Sequence, residues 1–155
     1  MPTPYAQYVD GRDPVDVLTE TLTRYRVVFA NTPQEKWQTP WAPGKWTRHQ
    51  VLIHVAQWEL IFSTRVRMAL AIPEYVVQPM DQDPLLDIEA PFVDVATASA
   101  AFDAVRSMNI ALIRGLSPET RATVVTHPER GRIDVNDLIV TLAGHAVHHL
   151  NQIED

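Results

Sequence analysis

The sequence of 155 residues contains no cysteine. Without cysteine there is no disulfide framework, no thiolate metal ligand and no thiol nucleophile, so sulfur chemistry would require a thiol supplied from outside. No stretch approaches the ~20 consecutive apolar residues that span a bilayer, which predicts no membrane partner. The first residues also lack the basic segment followed by an apolar segment that marks a secretory signal. We therefore expect a cytoplasmic protein.

Basic residues are fewer than acidic residues: the sequence has 13 Lys and Arg residues and 19 Asp and Glu residues, which gives a net charge of −6. Nucleic-acid binding depends on clustered basic residues, so we expect no nucleic-acid partner. The hydrophobic content of 46% and the charged content of 21% are ordinary for a globular domain of this length. We interpret residues 1–155 as a single domain in which residues 1–12 form a loosely ordered lead-in.

Apolar residues recur every three or four positions in four segments, which predicts four helices. These segments cover residues 13 to about 30, 46 to about 72, 94 to 114 and 134 to about 153. Thr47 and Gln50 form a capping-box pattern at the start of the second helix, and Asp134 is placed to cap the fourth. The remaining segments are interpreted as irregular, apart from one short turn near residue 117. With almost no strand signal, the sequence predicts an all-α four-helix bundle.

The connection between the second and third predicted helices is unusually long, at about 21 residues (73–93). Antiparallel helix neighbours need only about 2–8 connecting residues. An extended chain of this length reaches about 70 Å, whereas the second helix is only about 39 Å long. The connection can therefore cross the bundle and leave the second and third helices parallel. The alternative interpretation is a functional lid in the same segment.

Three histidines, His145, His148 and His149, lie close together near the C-terminus. His145 and His149 are four positions apart, so a helix with about 3.6 residues per turn places both on one face. Imidazole is the commonest ligand for borderline transition metals, and His54 on the second helix is the best candidate for a third ligand. We interpret His148 as a residue beside these three candidate ligands and not as a ligand itself. The alternative is that these histidines are polar residues of the core without a metal.

Other polar residues share the faces that carry the histidines. Gln152 lies seven positions beyond His145 and returns to its face, so it is a candidate pocket residue. Arg65 lies eleven positions beyond His54 and about 20° from its stripe, which favours either a pocket position or an ion pair with a carboxylate. Glu59 lies about 140° from His54 around the helix, which favours orienting a neighbouring helix or loop over binding metal directly.

Together these residues resemble the DinB/YfiT-like superfamily of metal-binding helical bundles. The resemblance rests on Gly44-Lys45-Trp46-Thr47, then His54, Glu59 and Arg65, and finally His145, His148, His149, Gln152 and Ile153. It implies a four-helix bundle of up-down-down-up topology and a homodimer. The implied ligands are His54, His145 and His149, holding zinc, nickel or a similar divalent ion. It also implies an activity as a thiol-dependent transferase or isomerase, with a low-molecular-weight thiol as co-substrate, or as a metal-dependent hydrolase.

Three neutral imidazoles would leave the full charge on the ion, which would then activate a bound water or a small thiol. We therefore predict a metal-dependent enzyme that transfers or hydrolyses a group on a small-molecule substrate. The first alternative is a non-catalytic protein that binds a metal or a small molecule. The second is a helical interaction module.

Overall fold

The computed structural model describes residues 2–154, and most of them are helical. Four long helices, α1, α2, α4 and α6, form the bundle, and two short helices, two 3-10 turns and one strand pair connect or cap them within residues 2–154. The elements are α1 (Pro14–Asn31), α2 (Arg48–Ala71), α3 (Gln82–Glu89), α4 (Val95–Arg114), α5 (Pro118–Arg121), β1 (Val124–His127), β2 (Gly131–Asp134) and α6 (Val135–Ile153), with 3-10 turns at Ala6–Tyr8 and Gln34–Gln38.

The helices begin where the sequence places capping residues. Asp13 accepts a hydrogen bond from the backbone at the start of α1, where Pro14 needs no donor of its own. Thr47 and Gln50 satisfy each other's backbone amides in a capping box at the start of α2. Asp134 forms a second capping box at the start of α6. These contacts confirm the predicted starts of these three helices.

The helix α4 runs parallel to α2, as the long crossover predicts. His49 at the start of α2 contacts the carbonyl oxygen of Val93, just before α4, at 2.8 Å. Further along both helices, the Arg67 guanidinium donates to the side-chain oxygen of Asn109 at 2.8 Å.

Two further helix pairs complete the topology. In the second half of α1, Arg24 pairs with Glu154 just beyond α6, and Asp13 and Asp134, which precede the two helices, line one cleft, so α1 and α6 run parallel. Arg26 of α1 pairs with Asp103 in the first half of α4, whereas Arg114 at the end of α4 lies against the first half of α1, so α1 and α4 are antiparallel. The bundle therefore has the up-down-down-up topology, which confirms the predicted fold.

Two segments that the sequence presents as irregular contain regular structure. Helix α3 lies inside the crossover, and β1 and β2 form an antiparallel hairpin before α6. The crossover also pairs with the hairpin, because Val77 donates to the carbonyl of Thr126 at 2.8 Å and Thr126 donates to that of Tyr75 at 3.0 Å. Backbone hydrogen bonds between short segments define the structure of this part of the chain, and such segments show no side-chain period in the sequence.

The described part of the lead-in, residues 2–12, packs against the bundle through its 3-10 turn. The expectation that residues 1–12 are loosely ordered stays a prediction, and Met1 lies outside the described residues. Val9 is only 3% exposed, and the 3-10 turn Ala6–Tyr8 rests on α6. The backbone of Tyr5 fits over Gly144 so closely that a Cβ at this glycine would lie 2.2 Å from the Tyr5 carbonyl oxygen. A glycine at this position of α6 therefore creates the space that seats the lead-in.

No helix within residues 2–154 combines the length and apolar content needed to cross a membrane.

Candidate metal centre

Three buried histidine side chains from two helices meet inside the bundle. His54 comes from α2, and His145 and His149 come from neighbouring turns of the adjacent antiparallel helix α6. One ligand-capable nitrogen of each histidine lies within 4.8 Å of the others. The side chains are only 1%, 1% and 6% exposed, respectively. The structure thus brings together the three residues that the sequence predicts as ligands.

One distance within this cluster is short enough for its two nitrogens to bind the same cation. The Nε2 atoms of His54 and His145 are 3.0 Å apart. Two nitrogens that each lie about 2.0–2.1 Å from one zinc ion cannot be more than about 4.2 Å apart. The ring centroids of His145 and His149 are 4.3 Å apart, and those of His54 and His149 are 4.7 Å apart. The pair of Nε2 atoms therefore meets the distance requirement.

Burial keeps all three imidazoles neutral at pH 7. Loss of solvation, together with the neighbouring His149 and His148, lowers the pKa of His54 to about 3. Loss of solvation also lowers the pKa of His149 to about 4, although its hydrogen bond to Gln152 acts in the opposite direction. The pKa of His145 is lowered well below its usual value, mainly by burial. Neutral imidazoles retain the lone pair that a metal ligand needs.

A chain of hydrogen bonds fixes the orientation of His149. The Gln152 side-chain oxygen lies 2.7 Å from Nδ1 of His149, and because this oxygen can only accept, Nδ1 carries the proton. The lone pair of the neutral ring is then on Nε2. The Gln152 amide nitrogen lies 3.3 Å from Nε2 of His148, and Nδ1 of His148 lies 2.9 Å from the Tyr8 hydroxyl. Gln152 and His148 therefore support His149 from outside the cluster.

One atom of the cluster has no hydrogen-bond partner. Nδ1 of His54 is buried and unpaired among the described residues. Leaving a buried polar group without a partner costs about 1–3 kcal/mol. The other nitrogen of His54, Nε2, faces His145 inside the cluster.

Aromatic rings surround the histidines. The Trp58 ring stacks on His145 with centroids 3.6 Å apart and planes 5° apart. Trp46 lies 5.1 Å from His54, and the edge of Tyr5 meets His145 at 5.3 Å. These rings exclude bulk water, and a water-poor setting strengthens the interaction between a charge and its ligands.

Glu59 does not face the histidines. Its carboxylate is buried and accepts hydrogen bonds from Arg106 and from Asn109 of α4, both at 2.7 Å. Arg106 also donates to the Thr21 hydroxyl of α1 at 3.0 Å. Glu59 therefore ties α2 to its parallel neighbour and has no place among the pocket residues, because its side chain leaves α2 on a different side from His54.

Arg65 lies beyond the cluster on α2 and lines a cleft that also includes Trp58. Its guanidinium donates to the carbonyl of Gln78 at 2.5 Å and lies 4.9 Å from the centre of the Phe62 ring. No carboxylate of residues 2–154 pairs with it, so the ion pair considered from the sequence does not form there.

Sequence reasoning missed two of the residues that cover the cluster, namely Tyr5 and Tyr8. Trp58 follows His54 by four positions, so the same spacing that pairs His145 with His149 places it on the face of His54. Tyr5 and Tyr8 precede the first periodic segment, and no pattern in the sequence indicates what they contact.

Comparison with known proteins gives the following matches. The sequence profile of the DinB superfamily matches residues 18–153. A protein of Oceanobacillus iheyensis named "putative metal-dependent hydrolase" is 27% identical over 119 residues, covering 77% of this chain and 69% of that protein. A Bacillus pumilus protein of the same name is 23% identical over 142 residues, covering 91% and 81% of the two chains.

Two solved structures share the fold. YfiT from Bacillus subtilis, described as a probable metal-dependent hydrolase with an unusual four-helix bundle topology, superposes with a TM-score of 0.81 at 20% identity. That alignment covers 90% of this chain and 81% of YfiT. The four-helix bundle protein TT2238 superposes with a TM-score of 0.64 at 17% identity, covering 89% and 93%. At these identities the likeness concerns the fold alone.

Proposed function

This chain belongs to the DinB superfamily, and we propose that it is a metal-dependent enzyme whose single divalent ion is held by His54, His145 and His149. The observation that carries the proposal is the meeting of three neutral, buried imidazoles from two helices. The relatives named as metal-dependent hydrolases support the same reading. Donors that are all imidazole suit zinc and nickel, so we propose one of these two metals.

An ion held by three neutral imidazoles keeps its full charge and lowers the pKa of a water or thiol that binds at an open position. Around that position, Gln152 holds the tautomer and the ring orientation of His149. Trp46, Trp58 and Tyr5 shield the histidines from bulk water. We propose hydrolysis as the reaction, since the relatives' names point to it.

Transfer to a low-molecular-weight thiol is the second candidate. The chain has no cysteine, so the sulfur nucleophile would have to be a co-substrate. We also propose a small-molecule substrate, because a cleft of only about 180 Å³ lies against Trp58, whose ring stacks on His145. A cytoplasmic location and a homodimer complete the proposal. The net charge of −6 supports the proposed lack of a nucleic-acid partner.

The test of the metal site is a titration of protein purified without a histidine tag and stripped with a chelator. We expect one zinc or nickel ion per chain. His54→Ala and His145→Ala should each weaken metal binding by at least about a hundredfold, because each variant leaves only two of the three imidazole ligands. His49→Gln is the matched control, since His49 is on α2 but contacts Val93. Binding that is unchanged in either ligand variant contradicts the proposed site.

The test of the reaction compares metal-free and metal-loaded protein on a panel of esters and amides, and on electrophiles offered with small thiols. We expect turnover only with metal, and its loss in His145→Ala. Equal turnover in the metal-free protein contradicts the proposal. Metal binding with no turnover on the panel favours the non-catalytic alternative.

A further inference from the structure

A cleft beside the histidine cluster has one apolar wall and one cationic wall. Trp58, Phe62 and Leu138 are part of the apolar wall. Trp58 also stacks on His145, so the same ring contacts both the cleft and the candidate metal centre. A ligand seated in this cleft therefore lies one aromatic ring away from the histidines.

The cationic wall is centred on Arg65, whose charge is buried without a counter-charge. Arg65 is only 7% exposed, and no carboxylate among residues 2–154 pairs with it. Its Nε atom is buried without a hydrogen-bond partner, and its contact with Gln78 uses a different nitrogen. Burying an unpaired charge is costly, and desolvation accordingly lowers the pKa of this guanidinium. Such a charge is retained where a ligand supplies its partner.

The other polar groups of the cleft leave one positive charge in excess. Arg130 lies 3.7 Å from Asp137, so its charge is already matched. Nδ1 of His127 accepts from the backbone amide of Glu129 at 3.2 Å, so its neutral ring presents an Nε2 donor. The Glu129 side chain also lines the cleft but is exposed to solvent, which screens its charge. A single excess charge matches a monoanion better than a dianion.

We propose that this cleft binds the carboxylate of a small molecule with an apolar body, and that Arg65 is the residue that recognises it. A planar guanidinium matches the two oxygens of a carboxylate, and one unmatched charge favours this group over a phosphate dianion. Trp58 and Phe62 would contact the apolar body. The further statement that this molecule is the enzyme's substrate rests on the proposed function, and it describes a carboxylic acid whose reacting bond extends past Trp58 toward the histidines.

The test is a calorimetric titration of the full chain with 3-phenylpropanoate and with its neutral analogue 3-phenylpropanamide. Metal-free protein is used first, because a carboxylate can also bind a metal ion directly. We expect the acid to bind at least about tenfold more tightly than the amide, a difference of about 1.4 kcal/mol. Equal affinities, or no binding of the acid at millimolar concentration, overturn the proposal.

Variants then locate the binding. Arg65→Gln should remove the preference for the acid, whereas Arg65→Lys should keep part of it, because the charge remains and the paired donors are lost. Arg132→Gln removes the same charge near the hairpin but outside the lining of this cleft, and should change neither affinity. Undiminished acid binding in folded Arg65→Gln protein overturns the proposal.

A second measurement avoids dependence on a variant that fails to fold. The Arg65 Nε–H signal in a nitrogen-15 NMR spectrum of the wild-type protein should move when the acid is added and stay in place with the amide. A signal that does not respond to the acid counts against the cleft. Neither measurement needs metal. If the protein binds the acid but binds no metal, the proposed carboxylate site is supported and the proposed metal-dependent enzyme is contradicted.

Discussion

At the scale of single residues, the best-defined support of the candidate metal centre is the contact between His149 and Gln152. Supporting hydrogen bonds of this kind fix the tautomer of a ligand imidazole and typically change metal affinity by about 10–100-fold. We therefore expect Gln152→Leu to weaken zinc binding by about that factor, measured by competition with a chelating dye. The reason is that His149 would lose the acceptor that holds its proton on Nδ1.

The control for this prediction is Gln152→Glu, which keeps an acceptor oxygen beside His149. It should retain or increase the affinity, because a carboxylate accepts the same hydrogen bond and makes the imidazole more basic. Equal affinities for the wild-type protein and Gln152→Leu would mean that His149 does not bind the ion through Nε2.

The sequence indicates some of these residue roles and conceals others. The four-residue spacing of His145 and His149 is a local property of one helix, so their shared face could be predicted before the structure. The approach of His54 required only that α2 and α6 be neighbours. The partners of Glu59, by contrast, depend on the crossover that places α4 beside α2. No local pattern carries that information.

At the scale of elements, the lead-in depends on a single small residue of α6. An alanine at Gly144 would place its Cβ 2.2 Å from the carbonyl oxygen of Tyr5, which is backbone and cannot rotate away. We therefore expect Gly144→Ala to displace the lead-in. Hydrogen exchange should become faster at the amides of Tyr8 and Val9, which donate hydrogen bonds to the carbonyl oxygens of Tyr5 and Ala6 in this turn.

Gly115→Ala is the matched control, because its Cβ would meet only an ordinary contact of 3.4 Å at the end of α4. Alanine in a helix interior is intrinsically favoured over glycine by about 1 kcal/mol. A stabilised Gly144→Ala protein with unchanged exchange at the lead-in would therefore contradict the packing described for Tyr5.

The elements that sequence analysis did not predict, β1, β2 and α3, are short ones. Strands β1 and β2 have four residues each, too few for periodicity to distinguish them from a loop. The β-branched run Val124–Thr126 and the turn ending at Gly131 were the available signal. Helix α3 has eight residues and begins after the capping Asp81. Its first turn contains Pro84, so in the sequence it cannot be distinguished from the proline-rich segment around it.

At the scale of the whole molecule, the topology determines which faces meet. Because α2 and α4 run parallel, the antiparallel helix α6 can pack on α2 with His54 level with His145. The same arrangement puts the Glu59 and Arg106 pair on the opposite side of α2. Helix α2 is therefore buried on two sides, one occupied by an internal ion pair and one by uncharged imidazoles.

Burying uncharged imidazoles in the bundle makes the stability of the metal-free protein depend on pH. The folded pKa values of His54 and His149 are about 3 and about 4, below the ordinary value of 6.5. Between these values the unfolded chain binds more protons than the folded chain, so the free energy of unfolding rises with pH. This stability is fully present above pH 6.5 and is lost as the pH falls toward 4.

We expect urea unfolding of metal-free protein to show this loss between about pH 6.5 and pH 4.5. Glu154 and Asp103, whose pKa values are lowered by Arg24 and Arg26, act mainly below this window. His127 and His148, whose pKa values are lowered mainly by burial, contribute within it together with the cluster. His54→Leu is the control, because it introduces an apolar side chain of similar size and removes one titrating group. It should reduce the slope of the free energy of unfolding against pH. A free energy of unfolding that stays constant across the window would mean that the imidazoles become protonated inside the folded bundle with ordinary pKa values, and it would contradict the lowered pKa values of His54 and His149.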